Sequence, residues 1–99
     1  MLTIHKSTQN RAAVFALEGR LDSLTAPELE SAIQEALPAL TELTLDLEKL
    51  EYISSAGLRI FLSVQKLMHK QGKMKVCNAK EPIMEIFDLT GFSDILNIE

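Results

Sequence analysis

Ser54 and Ser55, followed by Ala56 and Gly57, stand between an apolar run ending at Ile53 and a second one opening at Leu58. Hydroxyl residues in such a place can do three things. A serine can be a nucleophile, provided a base lies within hydrogen-bond reach and an oxyanion hole is at hand. It can cap a helix, since serine is among the best N-cap residues. It can also accept a phosphoryl group, whose charge is favoured by the free N–H groups and dipole of a helix N-terminus.

The nucleophile is poorly supplied. His5 and His69 are the only histidines. His5 falls in a predicted edge strand. His69 lies about four turns along the helix that Ser55 begins, roughly 20 Å away at 1.5 Å per residue. No Gly-x-Ser-x-Gly, P-loop, Gly-x-Gly-x-x-Gly or metal-spaced His/Cys/Asp set is present. The chain is therefore not expected to be an enzyme or to carry a metal or other cofactor. The capping and phosphoacceptor readings use the same geometry, and residue types alone leave both open.

The elements that must position these serines follow from periodicity. Leu2 and Ile4 alternate with polar residues as in a short edge strand, Thr8-Gln9-Asn10 reads as a turn, and Ala12 to Leu17 reads as a more central strand paired to the first. Glu18 to Ser23 is expected to be a loop. Thr25, Pro27 and Glu28 look like a helix start, with Thr25 as N-cap and Glu28 completing a capping box. Leu29, Ala32, Ile33, Ala36 and Leu37 form its apolar stripe, and Pro38 stops it. Leu43, Leu45 and Leu47 alternate with Thr44, Asp46 and Glu48 in a strand with one dry and one polar face. A second helix runs from about Ser55, with Gly57, Ile60, Phe61, Val64, Leu67 and Met68 inward, and Gly72 closes it. Met74, Val76 and Asn78 mark another strand. Pro82 opens a third helix with Ile83, Ile86 and Phe87 inward, Gly91 ends it, and Phe92 to Ile98 adds a helical turn and an extended piece.

The order β-β-α-β-α-β-α predicts one α/β domain over residues 1–99: a sandwich with a small mixed sheet, an antiparallel N-terminal hairpin plus parallel βαβ units. The polar alternate face of Leu43–Leu47 places the helices mainly on one side of the sheet. Functional loops of such sheets lie at the carboxyl ends of the strands, which brings Asp22 beside Ser55.

Ninety-nine residues suffice for one core and not for two. A net charge of −4 argues against nucleic acid as a partner, because that affinity depends on clustered Lys and Arg. Neither a membrane span nor a signal peptide is read in the sequence. Cys77 is the only cysteine, which excludes an intrachain disulfide and fits a cytoplasmic protein.

Four stretches, in their order and spacing, resemble the STAS domain, and in particular the stand-alone bacterial anti-sigma factor antagonists. They are Glu18-Gly19-Arg20-Leu21-Asp22 after the second strand, Asp46-Leu47 in the third, Ile53-Ser54-Ser55-Ala56-Gly57-Leu58 opening the central helix, and Phe87-Asp88-Leu89-Thr90-Gly91-Phe92 at the last helix. The resemblance covers nearly the whole chain. It implies a binding protein: unphosphorylated members bind an anti-sigma factor that is also a serine kinase, and so release a sigma factor. The kinase phosphorylates a serine at the start of the central helix, and a metal-dependent (PP2C-type) phosphatase removes the phosphate. Aligned on Gly57, the family's Asp-Ser-Ser/Thr-Gly-Leu motif puts the phosphoacceptor at Ser55, with Ser54 where the family usually has Asp and Ala56 where it has Ser or Thr. Asp22 matches the acidic residue near the acceptor. Ser23, Ser54, Ala56, Gly57 and Arg59 are the further residues expected at the partner face. The family also includes adaptors that are never phosphorylated, such as the soluble partner of an ABC transporter ATPase, and that is the alternative.

Overall fold

The computed structural model describes all residues from Met1 to Glu99. Two strands, β1 (Leu2–Gln9) and β2 (Ala12–Leu21), form the antiparallel hairpin. β1 is longer than expected, and the turn is Asn10-Arg11, because Asn10 takes the left-handed conformation (φ +58°) that asparagine tolerates. α1 (Ala26–Ala36) crosses to β3 (Glu42–Ile53), and α2 (Ser55–Gln71) crosses to β4 (Lys73–Cys77). α3 (Glu81–Thr90) follows, closed by Gly91 at φ +82°. The sheet order is β1-β2-β3-β4, with β2–β3 and β3–β4 parallel. The expected fold class and element order hold.

One face of the sheet carries the core: Ala13, Phe15 and Leu17 of β2, Leu43, Leu45 and Leu47 of β3, Met74 and Val76 of β4 are all buried. The helices pack there, with Leu29 and Ile33 of α1, Phe61, Val64 and Met68 of α2, and Ile83 and Phe87 of α3. Phe61 and Phe87 meet at a tilt, their centroids 6.4 Å apart. The opposite face, with Val14, Lys75 and Glu18, is open to solvent.

The predicted segments need several corrections. β3 runs to Ile53 rather than Leu47, because Glu18 pairs with Lys49 and Arg20 with Tyr52, each step adding an extra residue to β3. Those two irregularities shift the buried positions to Leu50 and Ile53, which breaks the period-2 pattern and hides the strand's second half. β2 likewise continues through the expected Glu18–Ser23 loop as far as Leu21, turning at Gly19 (φ +105°), where a Cβ would collide with the Met1 carbonyl. α1 ends at Ala36, and Leu37–Ala39 form a 3₁₀ turn around Pro38. Leu67 is exposed instead of inward, whereas Leu58 is buried. Asn78 lies beyond β4 at φ +59°, its side-chain amide donating to Asp46 Oδ1 at 3.0 Å. The helical turn and extended piece after Gly91 are present as Phe92–Asp94 and the Ile98–Val76 bridge.

Candidate functional site: the serine end of the sheet

Leu21 and Ile53 are neighbours at the carboxyl ends of β2 and β3, and the Ser54 N–H donates to the Leu21 carbonyl at 2.9 Å. The chain therefore leaves both strands side by side, and the Asp22 loop and the start of α2 stand together at one end of the molecule. Gly57 seals the junction. It is buried, and a Cβ there would lie 2.7 Å from Leu21 Cγ and 2.9 Å from Ile53 Cγ1. Only a residue without a side chain lets α2 begin so close to the sheet.

The two serines divide the roles that their types left open. Ser54 is the N-cap: its backbone is extended (φ −96°, ψ 176°), its Oγ accepts from Gly57 N–H at 3.4 Å, and its carbonyl takes the first helical bond from Leu58. Ser55 is the first helical residue, exposed and outside the cap. It thus belongs to the first turn of α2, where backbone N–H groups lack helical partners and the helix dipole favours negative charge. Arg59, also exposed, follows one turn along the same side of α2.

Asp22 organises the neighbouring loop. Its Oδ1 accepts from Leu24 N–H at 3.0 Å and Thr25 N–H at 3.1 Å. These bonds, Thr25's first, hold the carboxyl below its ordinary value against the opposing effect of partial burial. Thr25 does not make the predicted capping box. Although it occupies the N-cap position, it is itself nearly helical (φ −99°, ψ −19°), so its side chain points back into the loop. Its Oγ1 accepts from Asp22 N–H at 2.9 Å and donates to the Arg20 carbonyl at 2.9 Å. Thr25 is the one buried polar residue of the molecule. Ser23 is exposed at the tip of the loop.

Sequence reading missed Arg20, whose guanidinium carbon lies 4.2 Å from the centroid of the Tyr52 ring. Only the β3 irregularities put those two residues opposite each other, so no local pattern signals the pair. Neither histidine joins the site: His5 Nε2 lies 3.2 Å from Glu18 Oε1 on the open sheet face, and His69 stands in the last turn of α2. No group of three or more His, Cys, Asp or Glu side chains is placed to hold a metal ion. The surface depressions lie elsewhere, on the open sheet face, at the β1–β2 turn and beside the end of α2, and Ser55 lines none of them. No helix is long and apolar enough to cross a membrane.

Comparison with known proteins agrees with this architecture. The family model described as the STAS domain matches residues 3–99. The chain is 34% identical to BtrV of Bordetella bronchiseptica, over 86% of this chain and 75% of that protein. It is 31% identical to the anti-sigma-B factor antagonist of Bacillus subtilis, over 83% of this chain and 76% of that one. Among solved structures, an anti-sigma factor antagonist from Mycobacterium paratuberculosis superposes with a TM-score of 0.90 at 26% identity, covering 99% of this chain and 85% of that one.

Proposed function

The chain belongs to the STAS domain family, and on that premise we propose that it is an anti-sigma factor antagonist switched by phosphorylation of Ser55. Unphosphorylated, it binds a serine-kinase anti-sigma factor and so frees a sigma factor; a PP2C-type phosphatase restores that state. The names of the relatives in Bacillus subtilis and Mycobacterium paratuberculosis support the antagonist reading. The observation that carries the switch is the division of labour at α2: Ser54 satisfies the cap, which leaves Ser55 exposed at the first helical position. A phosphate there gains from the N–H groups and dipole without dismantling the helix.

The partner face then consists of the exposed Ser23, Ser55 and Arg59 with the half-buried Asp22, Ser54 and Ala56. Gly57 is beneath it, and its part is to let the face close. The small side chains allow close approach in the unphosphorylated state. A phosphoryl group adds bulk and about −1.5 to −2 charges beside the ionised Asp22, which disfavours a partner docked closely over this spot. Titration of the partner kinase by calorimetry tests the reading. Ser55→Asp is expected to bind at least about tenfold more weakly than wild type, a difference of about 1.4 kcal/mol, and Ser55→Ala within a few-fold. Incubation with kinase and ATP should add one phosphate to wild type and to Ser54→Ala, and none to Ser55→Ala. Equal affinities for the two Ser55 variants, or a phosphate mapped to Ser54, overturn it.

A further inference from the structure

Arg59 is the first charged residue of α2 and the only one before Lys66. α2 contains no Asp or Glu, so no acid three or four positions away on the helix can pair with it. The ion pairs of the molecule, His5–Glu18 and Lys75–Glu99, lie elsewhere, and the guanidinium stacked on a ring is that of Arg20. Asp22, in the loop beside the start of α2, gives Oδ1 to the Leu24 and Thr25 N–H groups and forms no ion pair with Arg59. Arg59 thus stands exposed with its charge unmatched.

No group of the unmodified chain uses that charge, but a phosphate on Ser55 does. Ser55 is the first helical residue and Arg59 lies four positions on, a spacing that sets Cβ atoms about 5–6 Å apart on one side of a helix. The order suits the pair as well, because an anion N-terminal to a cation at this spacing is the more favourable arrangement. A phosphoserine brings about −1.5 to −2 charges and three acceptor oxygens. A guanidinium meets two such oxygens with two parallel N–H donors, which a point charge does not.

We propose that Arg59 is the phosphate latch of the switch: its guanidinium turns back one turn along α2 and binds the Ser55 phosphate bidentately. The latch rests on the reading of Ser55 as phosphoacceptor and states what the modification does locally. The transfer itself asks nothing of Arg59: the γ-phosphoryl group of ATP moves to Ser55 Oγ, the hydroxyl proton is released, and ADP leaves. Afterwards the latch fixes the phosphate over the first turn of α2 and takes Arg59 out of the partner face. Release then has two components, bulk and negative charge gained at Ser55 and a cation withdrawn beside it.

The test is a phosphorus NMR titration of the full chain carrying phosphoserine at position 55, introduced during translation so that no variant depends on the kinase for its phosphate. Wild type is compared with Arg59→Gln, Arg59→Lys and Lys66→Gln. Lys66 is exposed on the same helix, 11 positions and about 16 Å beyond Ser55, and controls for the change in net charge. The guanidinium favours the dianion, so its loss makes the second phosphate proton leave at higher pH. One unit charge about 4 Å away in a water-like dielectric is worth about 0.7 pH unit before screening by salt. Arg59→Gln is therefore expected to raise the second phosphate pKa by about 0.3–0.7 unit, with Arg59→Lys within about 0.2 and Lys66→Gln within about 0.1 unit of wild type. An unchanged titration in Arg59→Gln, or an equal rise in Lys66→Gln, overturns the latch and leaves the switch standing. Incubating unmodified wild type with the kinase and ATP decides the switch separately: no phosphate on Ser55 overturns it, and the latch with it.

Discussion

Gly57→Ala tests the geometry that holds the serine end together. Two effects of opposite sign compete. Replacing glycine by alanine within a helix gains up to about 1 kcal/mol of propensity. The added methyl, however, would meet three side-chain carbons within 3.0 Å: Leu21 Cγ at 2.7 Å, Ile53 Cγ1 at 2.9 Å and Leu21 Cδ2 at 2.9 Å. Leu21 is fully buried and Ile53 is 3% exposed, so neither can swing into solvent. Overpacking of such a core costs about 1–3 kcal/mol. With three contacts at that range and two immobile neighbours, the upper half of it applies, and the clash outweighs the propensity. The net loss should be about 1–2 kcal/mol, which for a domain of this size lowers Tm by roughly 4–16 °C. Differential scanning calorimetry measures it. A Tm at or above that of wild type would show that α2 does not start in contact with the strand ends, and the account of Gly57 would be wrong. The same variant should lower kinase affinity for a folded reason, since α2 must shift outward and carry Ser55 with it.

Ser54→Ala removes the α2 cap and should cost about 0.5–2 kcal/mol, whereas Ser55→Ala should stay within about 0.5 kcal/mol of wild type; urea melts that order the two serines the other way refute the division of roles. Thr25→Val keeps the shape but removes the hydroxyl that serves Asp22 N–H and Arg20 carbonyl. It should lower stability by about 1–3 kcal/mol, and an unchanged midpoint would deny Thr25 its place in the loop. The Asp22 carboxyl is held below its ordinary value in the folded state. It therefore contributes stability that is present above about pH 4, the unfolded value, and is lost as pH falls through the folded one. The stability gap between wild type and Asp22→Asn should accordingly shrink below about pH 4, and a gap constant from pH 7 to pH 3 in urea melts would contradict the shift. Gln71 donates to the Leu37 and Leu40 carbonyls, each at 2.7 Å. Gln71→Ala should cost about 1 kcal/mol or more, read as a lower urea midpoint, and a neutral effect would show that water serves those carbonyls equally well.

The sequence by itself determined the order of elements and singled out the end of the sheet at which the functional site is proposed. Period-2 alternation in Leu43–Leu47, the apolar stripes around Leu29–Ile33 and Ile60–Met68, and the stops at Pro38, Gly72 and Gly91 are local signals, each set by which neighbours along the chain share a face. The small residues Ser54 to Gly57, between a strand and a helix, sufficed to single out Ser55 as a candidate acceptor, because cap chemistry and the helix dipole are local too. What only the tertiary structure decided depends on residues far apart in sequence. The two extra residues in β3 appear only against the ladder of β2, and they alone set Arg20 over Tyr52 and carry the strand on to Ile53. Gly72 illustrates the same limit. Its position after α2 suggests a left-handed cap, but its backbone is extended (φ 170°), and a side chain there would strike the Thr41 carbonyl, 31 positions earlier. Thr25 reads as a cap by its spacing to Glu28, yet its hydroxyl turns toward Arg20 and Asp22 because β2 delivers them beneath it. Local periodicity records which face each residue turns toward the core; register, bulges and close backbone approach arise where distant segments meet, and no single segment encodes them.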